Sequence, residues 1–375
     1  MSDAGTQGTP RTPDAPGTVT VVPLTGIPEV TEGTDLADAV DAGLRASDVT
    51  LVDGDVLVVS SKVASKSLGL VVDDAVDKDA LVLRESSAVV AERATADGRV
   101  TRVVRATAGP VMAAAGIDGS NTGARGGWLL LPHDPDAVCE RLHAELVRRH
   151  GVRLGVVLSD TSARPWRVGH SDFALGAHGL HVVDDLRGGV DADGRPLAVT
   201  TRAVADEIAS AADLAKGKAS AVPVAVVRGL ATLVLEDDAT GTTDTGTDAA
   251  TRHPRGRDLV RTGPYDWFGM GRAESVRAAL GVAPGSAASL EVGVAPAEPG
   301  DDGALSRAVR VAMRGCDEVT ADVGAGQVTL GAPSPYELGR FVARLEVALW
   351  GEWLEGEVSA PSADGVSVGV TLSRR

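Results

Sequence analysis

Apolar and polar positions along this chain follow two periods, and the switches between them mark its elements. Apolar runs at Val19–Val22, Val56–Val59, Val100–Val104, Leu154–Leu158 and Val222–Val227 are too short for buried helices and predict strands. Spacing by three or four predicts helices. Leu36, Val40 and Leu44 share one face after Thr34, which reads as the cap. Val138, Leu142 and Leu146 follow an Asp134-Pro135 start and precede Gly151, and Val204, Ile208 and Leu214 run through an Ala-rich stretch from Thr200 to Lys216. The stretch Leu81–Arg93 around Glu85 also reads as helical. His143 and His150 fall on the charged side of their helix and are expected in solvent.

The C-terminal part repeats these signals on a smaller scale. Val282–Ala287 is rich in Pro, Gly and Ala and predicts a linker. Beyond it the pattern reads strand Ser289–Val294, helix Gly303–Met313, strands Glu318–Val323 and Gln327–Leu330, helix Pro335–Leu354 and strand Val366–Leu372. The second of these helices opens on a capping box, Ser334-Pro335-Tyr336-Glu337. The order βαββαβ predicts a small ferredoxin-like α+β module. The expected plan is a disordered tail at 1–17, a main domain at 18–281, a linker at 282–287 and this module at 288–375. Within the main domain, Glu236–Ala250 reads as a low-complexity mobile loop, and Tyr265, Trp267 and Phe268 as a packing anchor.

Bulk composition narrows the function classes. A formal charge of −16 and a pI near 4.9 over 375 residues argue against a general nucleic-acid or anionic-membrane binder. The N-terminal tail has no apolar core and no run approaches 18 uncharged apolar residues, so a soluble, cytoplasmic protein is expected. Two distant cysteines, Cys139 and Cys316, make neither a disulfide framework nor a zinc spacing.

The candidate chemistry sits in the segments that follow strands. Leu154–Leu158 hands over to Ser159, Asp160 and Thr161, with Arg164 and Arg167 flanking Pro165-Trp166. After Val56–Val59 come Ser61, Lys62 and Lys66 among further hydroxyls, in a stretch that lacks the glycines of a Walker loop. A small-residue stretch from Ala113 to Gly123 carries Asp118 and Asn121, and Lys216 and Lys218 close the Ala-rich helix. Each grouping alone also fits a solvated turn or a helix end stabilised by its dipole. Together, Asp118, Asp160 and Thr161 are hard oxygen ligands suited to Mg²⁺ or Mn²⁺, and the cations suit phosphate oxygens. The combination predicts a metal-assisted reaction of a nucleoside triphosphate. No histidine has an obvious nucleophile partner.

Five ordered motifs then resemble one family. Asp53-Gly54-Asp55 with Ser61-Lys62 and Ser65-Lys66, Ala115 to Asn121, Ser159-Asp160-Thr161 with Arg164 to Arg167, Ala205-Asp206-Glu207, and Pro223 to Gly229 resemble the coenzyme F-420-0:L-glutamate (gamma-glutamyl) ligases, from about Val19 to Leu280. The resemblance implies an α+β fold of two lobes with mixed and antiparallel sheets, working as a homodimer with two divalent metals. It implies GTP-dependent addition of L-glutamate to the deazaflavin precursor F-420-0 through an acyl phosphate. Residues matching Asp118, Asp160 and Thr161 would bind metal. Those matching Ile27, Pro28, Glu29, Val30, Ser61, Lys66 and Asn121 would contact the nucleotide. Apart from the resemblance, Lys62 is placed for a further phosphate contact, and Lys216 and Lys218 for a phosphate or ribose contact. Arg164 and Arg167 would complete the catalytic set.

The sequence departs from the family at Leu68 and Leu70, where Glu and Arg are usual, and at Ala163, where Gly is usual. Leu68 and Leu70, with the appended C-terminal module, motivate an alternative, a catalytically silent paralogue that binds nucleotide or deazaflavin and regulates or scaffolds. Actinobacterial members often add a nitroreductase-like flavin domain. The roughly 90 residues after the ligase region are too few for it, so neither FMN nor reductase activity is expected.

Overall fold

The structure, a computed structural model, describes residues 17–122, 126–218, 220–236, 253–262, 270–296, 301–316, 318–324 and 326–374. Residues 1–16, most of the Asp/Thr/Gly segment (237–250), and Tyr265, Trp267 and Phe268 lie outside them. The fold is α+β and divides into two units. One takes the chain up to Lys78, Thr107–Pro110 and Gly116–Arg261; the other takes Asp79–Ala106, Val111–Ala115 and Thr262–Arg375.

The first unit contains β1 (Thr20–Pro23), α1 (Leu36–Ala46), β2 (Asp55–Ser60), α2 (Ser61–Ser67), β3 (Val71–Val72), β7 (Trp128–Leu129), α4 (Pro135–His150), β8 (Leu154–Arg164), β9 (Arg167–His178), β10 (Asp184–Asp185), β11 (Thr201–Arg202), α5 (Val204–Lys216) and β12 (Val224–Arg228). The remaining numbers belong to the second unit. Five strands form one sheet in the order β1-β12-β2-β8-β9, with β2 and β8 parallel and the other neighbours antiparallel. The central strands are buried along most of their length, which is why their sequences are nearly continuous in Val and Leu. Ala205, Ile208, Ala209 and Ala212 of α5 pack on the alternate residues Val56, Val58, Ala225 and Val227. The small alanines let the helix lie close to the sheet.

Several local expectations change. The cap of α1 is Asp35, whose carboxylate accepts from the Ala37 and Asp38 amides, rather than Thr34. Leu214 is 90 % exposed. His143 is buried, with a ring nitrogen 3.1 Å from the Leu154 carbonyl, because it faces the strand that its helix covers. His150 pairs with Asp41 at 2.8 Å. The largest change is in β8, which does not end at Leu158 but runs on to Arg164 and turns through Pro165-Trp166 into β9.

Close packing of β9 on α4 makes Gly176 sensitive. A Cβ there would sit 2.6 Å from the carbonyl carbon and oxygen of Pro135. Gly176→Ala is expected to cost about 1–3 kcal/mol, seen as a lower urea midpoint with an unchanged m-value; wild-type stability would show that the helix start can yield.

The second unit contains α3 (Lys78–Arg84), β4 (Ser86–Ala94), β5 (Val100–Ala106), β6 (Val111–Ala113), α6 (Arg272–Ala279), α7 (Ala287–Val292), α8 (Ala304–Met313), β13 (Thr320–Gly324), β14 (Gln327–Gly331), α9 (Pro335–Gly351), β15 (Leu354–Val358) and β16 (Ser367–Arg374). Its sheets are β4-β5-β6 and β13-β14-β16-β15, both antiparallel.

This unit differs from the expected ferredoxin-like βαββαβ order in two places. Ser289–Val294 is not a strand: the Ser286 hydroxyl accepts from the Ser289 amide and starts α7, which Gly293 ends. Leu354–Val358 is a strand rather than a helix end, following Trp353 in a left-handed conformation. Leu81–Arg93 likewise splits, helical only to Arg84, and Val89 then pairs with Val104 in the sheet. The expected linker is packed: Val282 is buried, and the Gly285 amide donates to Glu92 at 3.2 Å.

Candidate functional site

The short helix α2 starts directly from β2, so its first side chains are held at the end of a buried strand. Ser61 is buried, and its hydroxyl donates to Oδ1 of Asp160 at 3.0 Å. The register that sets Ser60 beside Ser159 brings these two segments together. Lys62 ion-pairs with Asp118 and donates to the Ser120 hydroxyl at 2.6 Å. Asp118 also accepts from the Ser120 amide and hydroxyl, both at 2.8 Å, in an Asx turn. One turn further along, Lys66 pairs with Glu29 at 2.6 Å. The two lysines are four apart on a helix and therefore share a face, an arrangement that reading the stretch as a loop could not supply.

Burial governs the two acids in opposite ways. It pushes the Asp160 carboxyl up to about 6, helped by the negative charge of Asp172 and opposed by the Thr161 amide, Ser61 and Lys62. Burial also pushes Asp118 up, but Lys62 and the Ser120 donors outweigh it and hold that carboxyl below the ordinary carboxylate value.

Because β8 continues as a strand, consecutive residues point to opposite faces of the sheet. Asp160 meets Ser61, whereas Ser159 and Thr161 both meet Asp172. The hairpin register sets Thr161 directly opposite Asp172, and the Thr161 hydroxyl donates to its Oδ1 at 2.6 Å. Lys216, buried at the end of α5, donates to Ser159 at 2.7 Å and to Asp172 at 3.0 Å. Lys218 donates to the Thr161 hydroxyl at 2.6 Å, to Asp213 at 2.9 Å and to Asp172 at 3.1 Å. Burial raises the Asp172 carboxyl, but Lys216, Thr161 and Lys218 more than offset it and leave it below its ordinary value.

The structure thus places Glu29, Asp118 and Asp160 each against a different residue of α2 (Lys66, Lys62 and Ser61), and gathers Thr161, Lys216 and Lys218 in a second group around Asp172. It does not bring Arg164 and Arg167 to either. They face each other at the exposed hairpin tip, Arg164 about 13 Å along the strand from Asp160. Among the described residues neither guanidinium makes an ion pair. Asn121 is exposed in a left-handed conformation; Pro28 is exposed, Ile27 is partly covered and Val30 is buried. Leu68 is exposed just past α2 and Leu70 is partly buried.

Asp172, Asp213 and Ser120 were not anticipated. The signal for Asp172 was the run of polar residues on both sides of Pro165-Trp166, which a two-residue hairpin turn would have paired.

A divalent cation fits the α2 group. Asp160 is a largely buried carboxylate with no ion-pair partner among the described residues, and burial without compensation is what a hard cation relieves. Among the described residues no three His, Cys, Asp or Glu side chains form a complete cage. Such a site suits an ion held by one or two carboxylates and completed by phosphate oxygens and water, as Mg²⁺ commonly is.

A family model described as F420-0:Gamma-glutamyl ligase matches residues 26–229, which include every residue of both groups. A coenzyme F420:L-glutamate ligase of Archaeoglobus fulgidus is 38% identical over 208 residues, 50% of this chain and 81% of the relative. One from Methanopyrus kandleri is 35% identical over 207 residues, 50% and 80%. One from Methanocaldococcus jannaschii is 30% identical over 234 residues, 58% and 85%.

Proposed function

Since the chain belongs to the F420-0:gamma-glutamyl ligase family, we propose that it is a GTP-dependent ligase that joins the amine of L-glutamate by an amide bond to the terminal carboxylate of coenzyme F-420-0. The observation that carries this reading is the convergence on α2 of two carboxylates, Asp118 and Asp160, with two same-face ammonium groups, Lys62 and Lys66. Acids for a cation beside lysines for phosphates are what a triphosphate-using site requires.

In the proposed reaction the terminal carboxylate of F-420-0 attacks the γ-phosphorus of GTP. A new O–P bond forms, the bond to the β-phosphate oxygen breaks, and GDP leaves. The glutamate amine then attacks the acyl carbon; phosphate leaves with the C–O electron pair and the nitrogen loses a proton. Asp118 and Asp160 would hold Mg²⁺ or Mn²⁺, which supplies positive charge to the phosphoryl oxygens. Lys66 would exchange Glu29 for a phosphate oxygen, and Ser61 fixes the orientation of Asp160. Arg164 and Arg167, at the hairpin tip, are placed to meet an anionic substrate rather than the acids. The reading extends to a homodimer acting in the cytoplasm; among the described residues no helix is long and apolar enough to cross a membrane.

Purified protein supplied with GTP, Mn²⁺, L-glutamate and F-420-0 is expected to release GDP in step with a glutamylated product, followed by mass spectrometry. GDP release without product would point to another acid acceptor. Binding of GTP and F-420-0 without turnover would identify the silent paralogue and overturn the proposal. Lys66→Ala is expected to raise the KM for GTP about tenfold with kcat changed much less; an unchanged KM would place the phosphate site elsewhere.

A further inference from the structure

We infer that this chain holds one divalent metal, at Asp118 and Asp160, and that the ammonium of Lys218 supplies the second positive charge, at Thr161. The inference rests on the ligase reading above and departs from the two metals the family resemblance implies.

Three observations carry it. First, the strand period separates the two ligand candidates: Asp160 faces Ser61 of α2, while the Thr161 hydroxyl faces Asp172. One ion on Asp160 does not therefore gain Thr161 as a partner by adjacency in sequence. Second, the Thr161 hydroxyl is already engaged. It donates to Asp172 at 2.6 Å and accepts from Lys218 at 2.6 Å, so the lone-pair side that would meet a metal meets an ammonium. Lys218 is held there by Asp172 at 3.1 Å and Asp213 at 2.9 Å as well.

Third, the charges differ between the two groups. Around Thr161, two carboxylates (Asp172, Asp213) meet two ammonium groups (Lys216, Lys218) and the cluster is neutral, with Lys216 and Asp172 both 4 % exposed. Adding a dication there would place it against the Lys218 ammonium in a cluster that has no net negative charge to offset the like-charge cost. Around α2, three carboxylates (Glu29, Asp118, Asp160) meet two ammonium groups (Lys62, Lys66), leaving a net negative charge for a dication to neutralise. A tethered ammonium does part of what a second metal does, since it brings positive charge to phosphoryl oxygens without geometric demands of its own.

The test is a metal count rather than a rate. Mn²⁺ is titrated into the full chain carrying one equivalent of GDP, and free Mn²⁺ is followed by its electron paramagnetic resonance signal. Wild type is expected to bind one ion per chain, and Lys218→Glu two, since the substitution removes the ammonium and adds a ligand at the same place. Lys218→Ala is the second variant, expected to admit a weaker second ion if Lys218→Glu fails to fold by circular dichroism. Two ions in wild type would overturn the inference while leaving the ligase reading intact. One ion in wild type and in every folded Lys218 variant would overturn the role of the ammonium. No ion in any of them would overturn the metal assignment of the ligase reading, and the inference with it.

Discussion

Asp160→Asn is expected to give a protein that folds as well as wild type or better and turns over at least about a hundredfold more slowly. Activity falls because the substitution removes the charge of a proposed metal ligand while keeping its shape and an oxygen to accept from Ser61. Stability moves the other way because burial raises the folded carboxyl from an ordinary 3.8 to about 6. Between those values the folded state binds the proton more tightly than the unfolded state, so this group's contribution to stability declines as pH rises from about 4 to 6. Asn has no charge to bury, and its advantage over wild type should grow across that window to the order of 2 kcal/mol. Urea denaturation of the metal-free proteins at pH 4.5 and pH 7.5 measures this. A variant that is less stable at pH 7.5, or that keeps near wild-type turnover, would overturn the assignment.

The opposite profile is expected at Asp172. It lies in a pair with Lys216 in which both side chains are almost fully buried, and it also receives Ser159, Thr161 and Lys218. Asp172→Ala would leave a buried ammonium without its carboxylate, a change that typically costs about 3–5 kcal/mol. Lys216→Met should cost a comparable amount. The double variant Asp172→Leu/Lys216→Met should lose much less than the two single losses combined, because neither charge is then stranded. A double-mutant cycle in chemical denaturation reads the coupling; simple additivity would show that the pair is not coupled.

These two residues mark the limit of what the sequence reveals about the site. Asp118, Asp160, Lys62 and Lys66 are legible because their residue types stand out beside apolar runs and small-residue stretches, and each of them is hydrogen-bonded or ion-paired at α2. Asp172 is not legible in the same way, because its role comes from pairing across a hairpin whose turn, Arg164-Pro165-Trp166-Arg167, reads as a polar loop. Taking the strand to Arg164 changes the chemistry as well as the boundary, since it places Asp160 and Thr161 on opposite faces. His143 reads as a solvated polar group and Lys216 as a helix-end cation for a related reason: the helical period identifies the apolar face, but only tertiary packing tells which polar groups at its margin are covered.

The fold shows the same division. Buried central strands and long amphipathic helices are legible, and α4 begins and ends where Asp134, Pro135 and Gly151 indicate. Six-residue stretches are not. Ala287–Val292 could pair in a sheet or wind into a turn of helix, and the Ser286 cap decides the matter locally. The expected linker fails because the second unit is assembled from distant parts of the chain, which no local pattern reports.

That interleaving bears on how the protein is made. Glu92 of β4 accepts from Arg102 at 3.2 Å and from the hydroxyl of Ser289, a residue 197 positions later. At ordinary ribosomal speeds, Ser289 is synthesised roughly 10–40 s after Glu92. Until then Glu92 has Arg102 but not the Ser289 hydroxyl, while every strand of the five-stranded sheet, ending with β12 at Arg228, is translated before that point. Synthesis order therefore favours completion of the unit that holds the five-stranded sheet before the unit that takes up the chain at Asp79 and is finished only at its last residues.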